Sequence, residues 1–122
     1  MRVAISSKGK NIDDTIDMRF GRCEYFQIHD TENKQVQIIE NKGKSAEGGA
    51  GIAAAQQILD EKVDVVITGS LGPNAFLIIN KAGIKAYGGG DGSIASILKR
   101  FKDGNLSELT EAGKSHQGLN KG

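Results

Sequence analysis

Hydrophobic and polar positions alternate from the first residues of the chain. Residues 2–6, RVAIS, set Val3 and Ile5 on one face, the spacing of a strand. Residues 24–30, EYFQIHD, alternate again, with Phe26 and Ile28 together and Tyr25, Gln27 and His29 opposite. A turn-rich stretch at 31–35 leads to a third strand at 36–40, and so short a polar connection predicts an antiparallel hairpin. Between the first two strands, residues 7–19 are polar with scattered apolar positions and read as a long loop.

The period then changes. Residues 50–61 place Ile52, Ala55, Ile58 and Leu59 on one helical face. Residues 63–68, VDVVIT, form a short β-branched run, which predicts a strand buried on both faces. Pro73 suits the first turn of a helix over 73–82, and Gly83 closes it. Residues 84–87 are a short strand. Over 93–102, Ile94, Ile97, Leu98 and Phe101 share a face, with Ser93 as N-cap and Gly104 as the stop. The order is β–β–β–α–β–α–β–α. Strand–helix–strand units demand parallel neighbours, and the hairpin adds an antiparallel strand. The expected fold is α/β: a single-domain, five-stranded mixed sheet flanked by helices, spanning 1–110. Residues 111–122 have little to bury and read as a flexible tail.

Composition narrows the classes. A chain of 122 residues fits one core. Apolar residues at 38% and charged residues at 25% place it among globular proteins. The net charge of +1 supplies no field of one sign for nucleic acid or an acidic membrane surface. No apolar run approaches the roughly 20 residues of a membrane-spanning helix. Cys23 is the only cysteine, so no intrachain disulfide can form and a cytoplasmic location is expected.

The 17 glycines change the picture, because they gather where strands meet helices. Gly48, Gly49 and Gly51 open the first helix. Gly69 and Gly72 join the fourth strand to the second helix, and Gly88, Gly89, Gly90 and Gly92 join the fifth strand to the third helix. The last two loops fall at the carboxyl ends of parallel strands, where open α/β sheets bind ligands. Gly69, Gly72 and Gly89 are therefore expected on one sheet edge, their amides facing a shared, anion-favouring cleft. The other reading is that the glycines only make tight turns. Neither the dinucleotide fingerprint nor the phosphate-binding loop of nucleotide triphosphatases is present.

Residues 19–23, RFGRC, are a second candidate. Cys23 is a soft potential metal ligand, and Arg19 and Arg22, if near it in space, would favour its thiolate or grip an anion. As the only thiol, it would give a cluster weak, thiol-dependent binding. The alternative is that Cys23 is a small buried residue at the strand entry. A lone cysteine excludes a structural zinc site. His29 and His116 read as exposed surface histidines. Asp13, Asp14 and Asp17 read as a solvated acidic loop without calcium-loop spacing. No catalytic set can be placed.

FGRCEYF at 20–26, EGGAGIAAAQ at 47–56, VDVVITGSLGPNAF at 63–76 and AGIKAYGGGDGSI at 82–94 together resemble the dinitrogenase iron–molybdenum cofactor biosynthesis family. The resemblance runs over residues 1 to about 109. It implies a ribonuclease H-like motif, a sheet of order 3-2-1-4-5 and an antiparallel second strand. It also implies a role as carrier or accessory protein for an iron–sulfur or iron–molybdenum cluster precursor, nitrogenase-linked in some relatives and not in others. By position, the implied ligand-site residues are Phe20, Gly21, Arg22, Cys23, Gly48, Gly49, Gly51, Gly69, Ser70, Gly72, Gly88, Gly89 and Gly90, with Arg19 beside them. Cofactor-handling relatives commonly carry histidine at the position of Arg19.

Three readings follow. The first is a non-catalytic metallocluster carrier, a monomer that meets cluster donor or acceptor proteins. The second is a small-anion enzyme on the same pocket, which lacks an acid–base residue. The third is a protein-interaction or regulatory module without cofactor, favoured by Arg19 in place of histidine.

Overall fold

The structure is a computed structural model and describes residues 1–113. Its elements are β1 (Arg2–Ser7), β2 (Tyr25–Asp30), β3 (Val36–Glu40), a 3-10 turn (Lys42–Ser45), α1 (Ala50–Asp60), β4 (Val65–Thr68), α2 (Pro73–Lys81), β5 (Lys85–Gly88), α3 (Ile94–Lys102) and β6 (Ser107–Glu108). They form one sheet of six strands in the order β3-β2-β1-β4-β5-β6. β2 runs antiparallel to β1 and β3, while β1, β4 and β5 are parallel. The expected order of the first five strands is observed, as is the antiparallel second strand.

The count of five strands is corrected to six. β6 is Ser107 and Glu108, antiparallel to Tyr87 and Gly88 on the outer edge. Two exposed polar residues carry no alternation, so no periodicity could mark them as a strand. The expected tail begins in part within the structure, where the Gly113 N–H donates to the Leu71 carbonyl at 2.7 Å. Residues 114–122, with His116, lie outside the described residues.

Two layers of helix cover the sheet. α1 and α2 pack Ala54, Ala55, Ile58, Ala75 and Ile79 against Ala4, Phe26, Ile28 and Val66 on one face. α3 packs Ile94, Ile97 and Leu98 against Val3, Ile5, Val65 and Ile67 on the other. This double cover explains why β4 is buried along its whole length. Burying a side chain such as Phe26 contributes about 1.5–3 kcal/mol. Ile52, expected on the buried face of α1, is 40% exposed instead. The stripe runs through Ala54, Ala55 and Ile58, roughly a third of a turn away.

His29 is likewise corrected from exposed to buried. It pairs across β1 and β2 with Val3 and so shares the α3 face of the sheet. Its Nε2 lies 3.0 Å from Gln27 Oε1. Gln27 Nε2 in turn donates to Ser7 Oγ, the Gly9 carbonyl and the Asn11 carbonyl. Residues 7–19 are thus less free than a polar loop suggests. They are tied down by pairings of Ser7 with Ile16, Thr15 with Ser93 and Arg19 with Ser70.

Candidate functional site

The carboxyl ends of β1, β4 and β5 share one edge, and the candidate residues collect there. The start of α1 is set in place by the 19–23 segment and by Asn41, which follows β3. Asn41 is buried. Its Oδ1 accepts from the Gly43 N–H at 2.9 Å, and its Nδ2 donates to the Gly21 and Cys23 carbonyls at 3.1 and 3.0 Å. Arg22 reaches across to the same turn, with Nη1 donating to the Gly43, Lys44 and Ala46 carbonyls at 3.3, 3.2 and 2.7 Å. Gly21 lies against the Ala50–Gly51 backbone. Phe20 is buried and stacks at a tilt on Phe26, ring centroids 5.3 Å apart. The FGRC segment is therefore the support on which α1 begins.

An open cleft of about 380 Å³ lies between the starts of α1 and α2, lined by Gly49, Ala50, Gly51 and Ile52 and by Gly72, Pro73, Asn74 and Ala75. Gly49 adopts φ 67°, the left-handed conformation that suits glycine. Neither helix has a side-chain cap. The amides of Ala50, Gly51, Ile52, Asn74 and Ala75 have no acceptor among the described residues. By contrast Ser93 Oγ caps α3, accepting from the Ser96 N–H at 3.1 Å. Uncapped amides carry the positive end of the helix dipole, so the cleft favours an anion.

The shared cleft expected of Gly69, Gly72 and Gly89 is corrected. Gly72 faces open space, as does Gly48. Gly69 is packed against the backbone of Met18, and Gly89 against Ile16 and Ile67. The Gly89 N–H is already taken by the Thr68 carbonyl at 2.9 Å. Gly88 faces Leu109 and Gly90 faces Arg100. Gly89, Gly90 and Gly92 of the third loop therefore belong to the α3 side, while Gly88 lies against Leu109 of the opposite cluster. The cleft joins the first and second glycine loops. A second hollow of about 230 Å³, between α2 and the β5–β6 edge, is lined by Phe76, Asn80, Lys85, Glu108 and neighbours. It touches none of the three loops.

Cys23, expected as a metal ligand, is placed in the core and not at the cleft. Its side chain is fully buried among Phe20, Phe26 and the α1 alanines. The thiol donates to the Phe20 carbonyl and accepts from Asn41 Nδ2, both at 3.5 Å. Burial, followed by the nearby Asp17 carboxylate, pushes its pKa up to about 12. The two arginines do not offset this, because their guanidinium groups are engaged elsewhere. Arg22 holds the 3-10 turn, and Arg19 holds Asp17, with Nη2 to Oδ2 at 3.0 Å. Asp17 itself is buried, unlike the solvated loop residue its sequence neighbours suggest. Burial raises its pKa, but the hydrogen bonds and charge of Arg19 outweigh that and hold the carboxyl below its usual value. Among the described residues no three His, Cys, Asp or Glu side chains gather as a metal site.

Sequence reasoning missed Asn41 and Asp17. A signal existed for Asn41, which stands just before a glycine-containing turn and caps it. None existed for Asp17, whose partner is only two residues away and whose burial depends on β1 and β4.

Fold and cleft define an α/β domain that opens paired, uncapped helix starts at the carboxyl edge of its parallel strands. The sequence pattern of the dinitrogenase iron-molybdenum cofactor family matches residues 1–104, and the chain belongs to that family. An uncharacterised protein of Methanocaldococcus jannaschii is 33% identical over 93 residues, 74% of this chain and 79% of its own length. The apo form of the orange protein from Desulfovibrio gigas superposes with a TM-score of 0.88 at 30% identity, over 93% of this chain and 96% of that one. A candidate NifB protein from Thermotoga does so with a TM-score of 0.81 at 35% identity, over 93% and 97%.

Proposed function

We propose that this protein is a non-catalytic carrier or accessory protein for an anionic iron–sulfur or iron–molybdenum cluster precursor, held at the cleft between α1 and α2. The observation that carries this reading is the pair of uncapped helix starts facing one cleft, in a chain that caps α3 in the ordinary way. Backbone amides hold an anion by charge and hydrogen bonding, without protein ligands to the metal. That suits a cargo that must be released to a cluster donor or acceptor protein. The family supports the class of cargo. Work in the cytoplasm as a monomer belongs to the same proposal. Among the described residues no helix is long and apolar enough to cross a membrane.

The sealed thiol of Cys23 favours a second reading, a protein-interaction or regulatory module that holds no cofactor. Gly72→Asp separates the two. Gly72 is the N-cap of α2 with extended backbone, and a Cβ there meets nothing within 4 Å. Aspartate at an N-cap satisfies the free amides and stabilises the helix by a few tenths of a kcal/mol, on the order of 0.3, relative to glycine. It also puts a carboxylate where an anion would sit. Anaerobic reconstitution with iron and sulfide, followed by visible absorption, should load the wild type and not Gly72→Asp, with the melting temperature unchanged or raised. Equal loading of both proteins, or none in the wild type, sinks the carrier reading.

A further inference from the structure

The two edges of the sheet are finished differently. β6 closes one edge with only two residues, Ser107 and Glu108. β3 forms the other with five, Val36 to Glu40, and contains neither proline nor lysine. Short length, proline and lysine are the usual guards against edge pairing. The ladder to β2 fixes which backbone groups of β3 are left over. The Asp30 N–H donates to the Gln35 carbonyl at 2.9 Å, and the Asn41 N–H to the Glu24 carbonyl at 3.0 Å. Bonded pairs alternate along an antiparallel ladder, so Gln35, Gln37, Ile39 and Asn41 turn their backbone groups toward β2. Val36, Ile38 and Glu40 turn theirs outward. The Glu40 carbonyl is taken by Gln57 Nε2 at 2.7 Å. The N–H and C=O groups of Val36 and Ile38 have no partner among the described residues.

The side chains of this edge are apolar at its centre. Val36 and Ile38 stand opposite His29 and Gln27, on the α3 face of the sheet, yet neither joins the cluster that α3 buries. Val36 is 51% exposed. Charges flank the pair in an order that complements itself: Glu32 and Lys34 precede it, and Glu40 and Lys42 follow. When β3 meets a second β3 antiparallel, outward-turned residues must face one another, so the possible registers differ by slips of two residues. Centred on Gln37, Val36 faces Ile38 of the second copy, Lys34 faces Glu40, and Glu32 faces Lys42. Centred on Ile38, Lys34 would face Lys42 and Val36 would face Glu40. Centred on Val36, Glu32 would face Glu40 and Lys34 would face Ile38. Only the first register sets apolar against apolar and unlike charge against unlike charge.

We propose that the β3 edge is a self-pairing surface, on which a second copy of this chain adds its own β3 antiparallel about Gln37. Val36 and Ile38 then exchange N–H···O=C bonds with Ile38 and Val36 of the second copy, and their four side chains cover one another on the α3 face. Lys34 has φ 63° in the hairpin turn, so its backbone leaves the ladder and its long side chain makes the contact. The Glu40 side chain that receives it is 72% exposed. A five-residue strand makes a small interface, of the class below about 1,200 Å² that gives transient pairs. The monomer is the dilute form of the same protein. No residue of β3 lines the α1–α2 cleft, so the pairing does not depend on what the cleft carries.

A dilution series of the full chain, followed by sedimentation equilibrium and amide NMR, tests this. The expected result is a monomer–dimer equilibrium whose shift changes on dilution centre on the Val36 and Ile38 amides. Charge reversal reads the register. Lys34 and Glu40 are both exposed. Lys34→Glu and Glu40→Lys each set like charges against one another in both symmetric contacts, and each should weaken the dimer about tenfold. The double variant Lys34→Glu/Glu40→Lys restores unlike charges in reversed order and should regain the wild-type association. A monomer at every concentration overturns the proposal. So does a dimer whose shift changes lie elsewhere, on the α1–α2 cleft for example, or a double variant that pairs no better than the single ones. Should the charge variants not fold, Val36→Lys takes their place. It sets a charge against Ile38 of the second copy and should abolish pairing, and an undiminished dimer in Val36→Lys overturns the proposal on its own.

Discussion

Gly21 and Gly51 are in backbone contact: a methyl on Gly21 would lie 2.9 Å from the Gly51 amide nitrogen and 3.1 Å from the Ala50 carbonyl carbon. Neither atom can swing aside, because both belong to the first turn of α1. Gly21→Ala should therefore destabilise the fold by about 1–3 kcal/mol through overpacking. It should also displace the amides of Ala50 and Gly51, which line the cleft. Urea unfolding and the NMR shifts of those two amides measure the two effects. An unchanged midpoint would mean that the segment yields, and that the support role assigned to it is wrong.

Cys23 should behave as a core residue. With its pKa at about 12, almost no thiolate exists near neutral pH, and the sulfur is shielded from solvent. Iodoacetamide should leave the native protein unmodified over hours and react fully once denaturant is added. Cys23→Ser should cost about 1–3 kcal/mol, because a hydroxyl is more strongly desolvated than a thiol. It should leave cluster loading unchanged per folded molecule. Rapid native labelling, or loss of loading in Cys23→Ser at full folding, would restore the thiolate as a ligand.

The fold was largely legible because local signals and tertiary demands agree. Val65 to Thr68 sit in a strand covered on both faces and read as a continuous apolar run. Ser93, Pro73 and Gly83 mark helix boundaries through chemistry that acts within a few residues. What escaped depends on distance in sequence. His29 looks exposed until α3 and the 7–11 segment close over its face. Asp17 looks solvated until Ser6 and Thr68 are brought beneath it. The glycine loops were visible, but their grouping was not. Helices on opposite faces of the sheet send Gly72 and Gly89 to different sides, and the chain order does not reveal that.

Asn41 should be the most costly polar residue to remove from the cleft support. Asn41→Ala orphans the Gly43 N–H, which Oδ1 accepts at 2.9 Å, and the Cys23 carbonyl, which Nδ2 reaches at 3.0 Å. Each buried group left unpaired costs about 1–3 kcal/mol, so a loss of at least about 2 kcal/mol is expected. Asn41→Asp keeps the acceptor for Gly43 but sets a carboxylate against the Gly21 and Cys23 carbonyls. It should be no milder. Thermal unfolding of the two variants gives the ranking, and a loss below about 1 kcal/mol in Asn41→Ala would show that water replaces the amide.

His29 should make stability fall in mild acid. Gln27 Nε2 donates to three oxygens, which leaves Oε1 as an acceptor and assigns the His29 proton to Nε2. Burial, and then the Lys102 charge, lower the His29 pKa below the ordinary 6.5. Between the lowered folded value and 6.5, the unfolded chain binds a proton that the folded chain does not. Unfolding free energy therefore rises with pH across that window. Stability is fully present above 6.5, falls as pH drops below it, and levels off beneath the folded value. His29→Gln keeps a donor for Gln27 Oε1 and cannot titrate, so it should flatten this part of the profile while leaving the more acidic carboxylate region intact. Urea unfolding of both proteins across the window measures the difference, and parallel profiles would mean that His29 carries its proton equally well folded and unfolded.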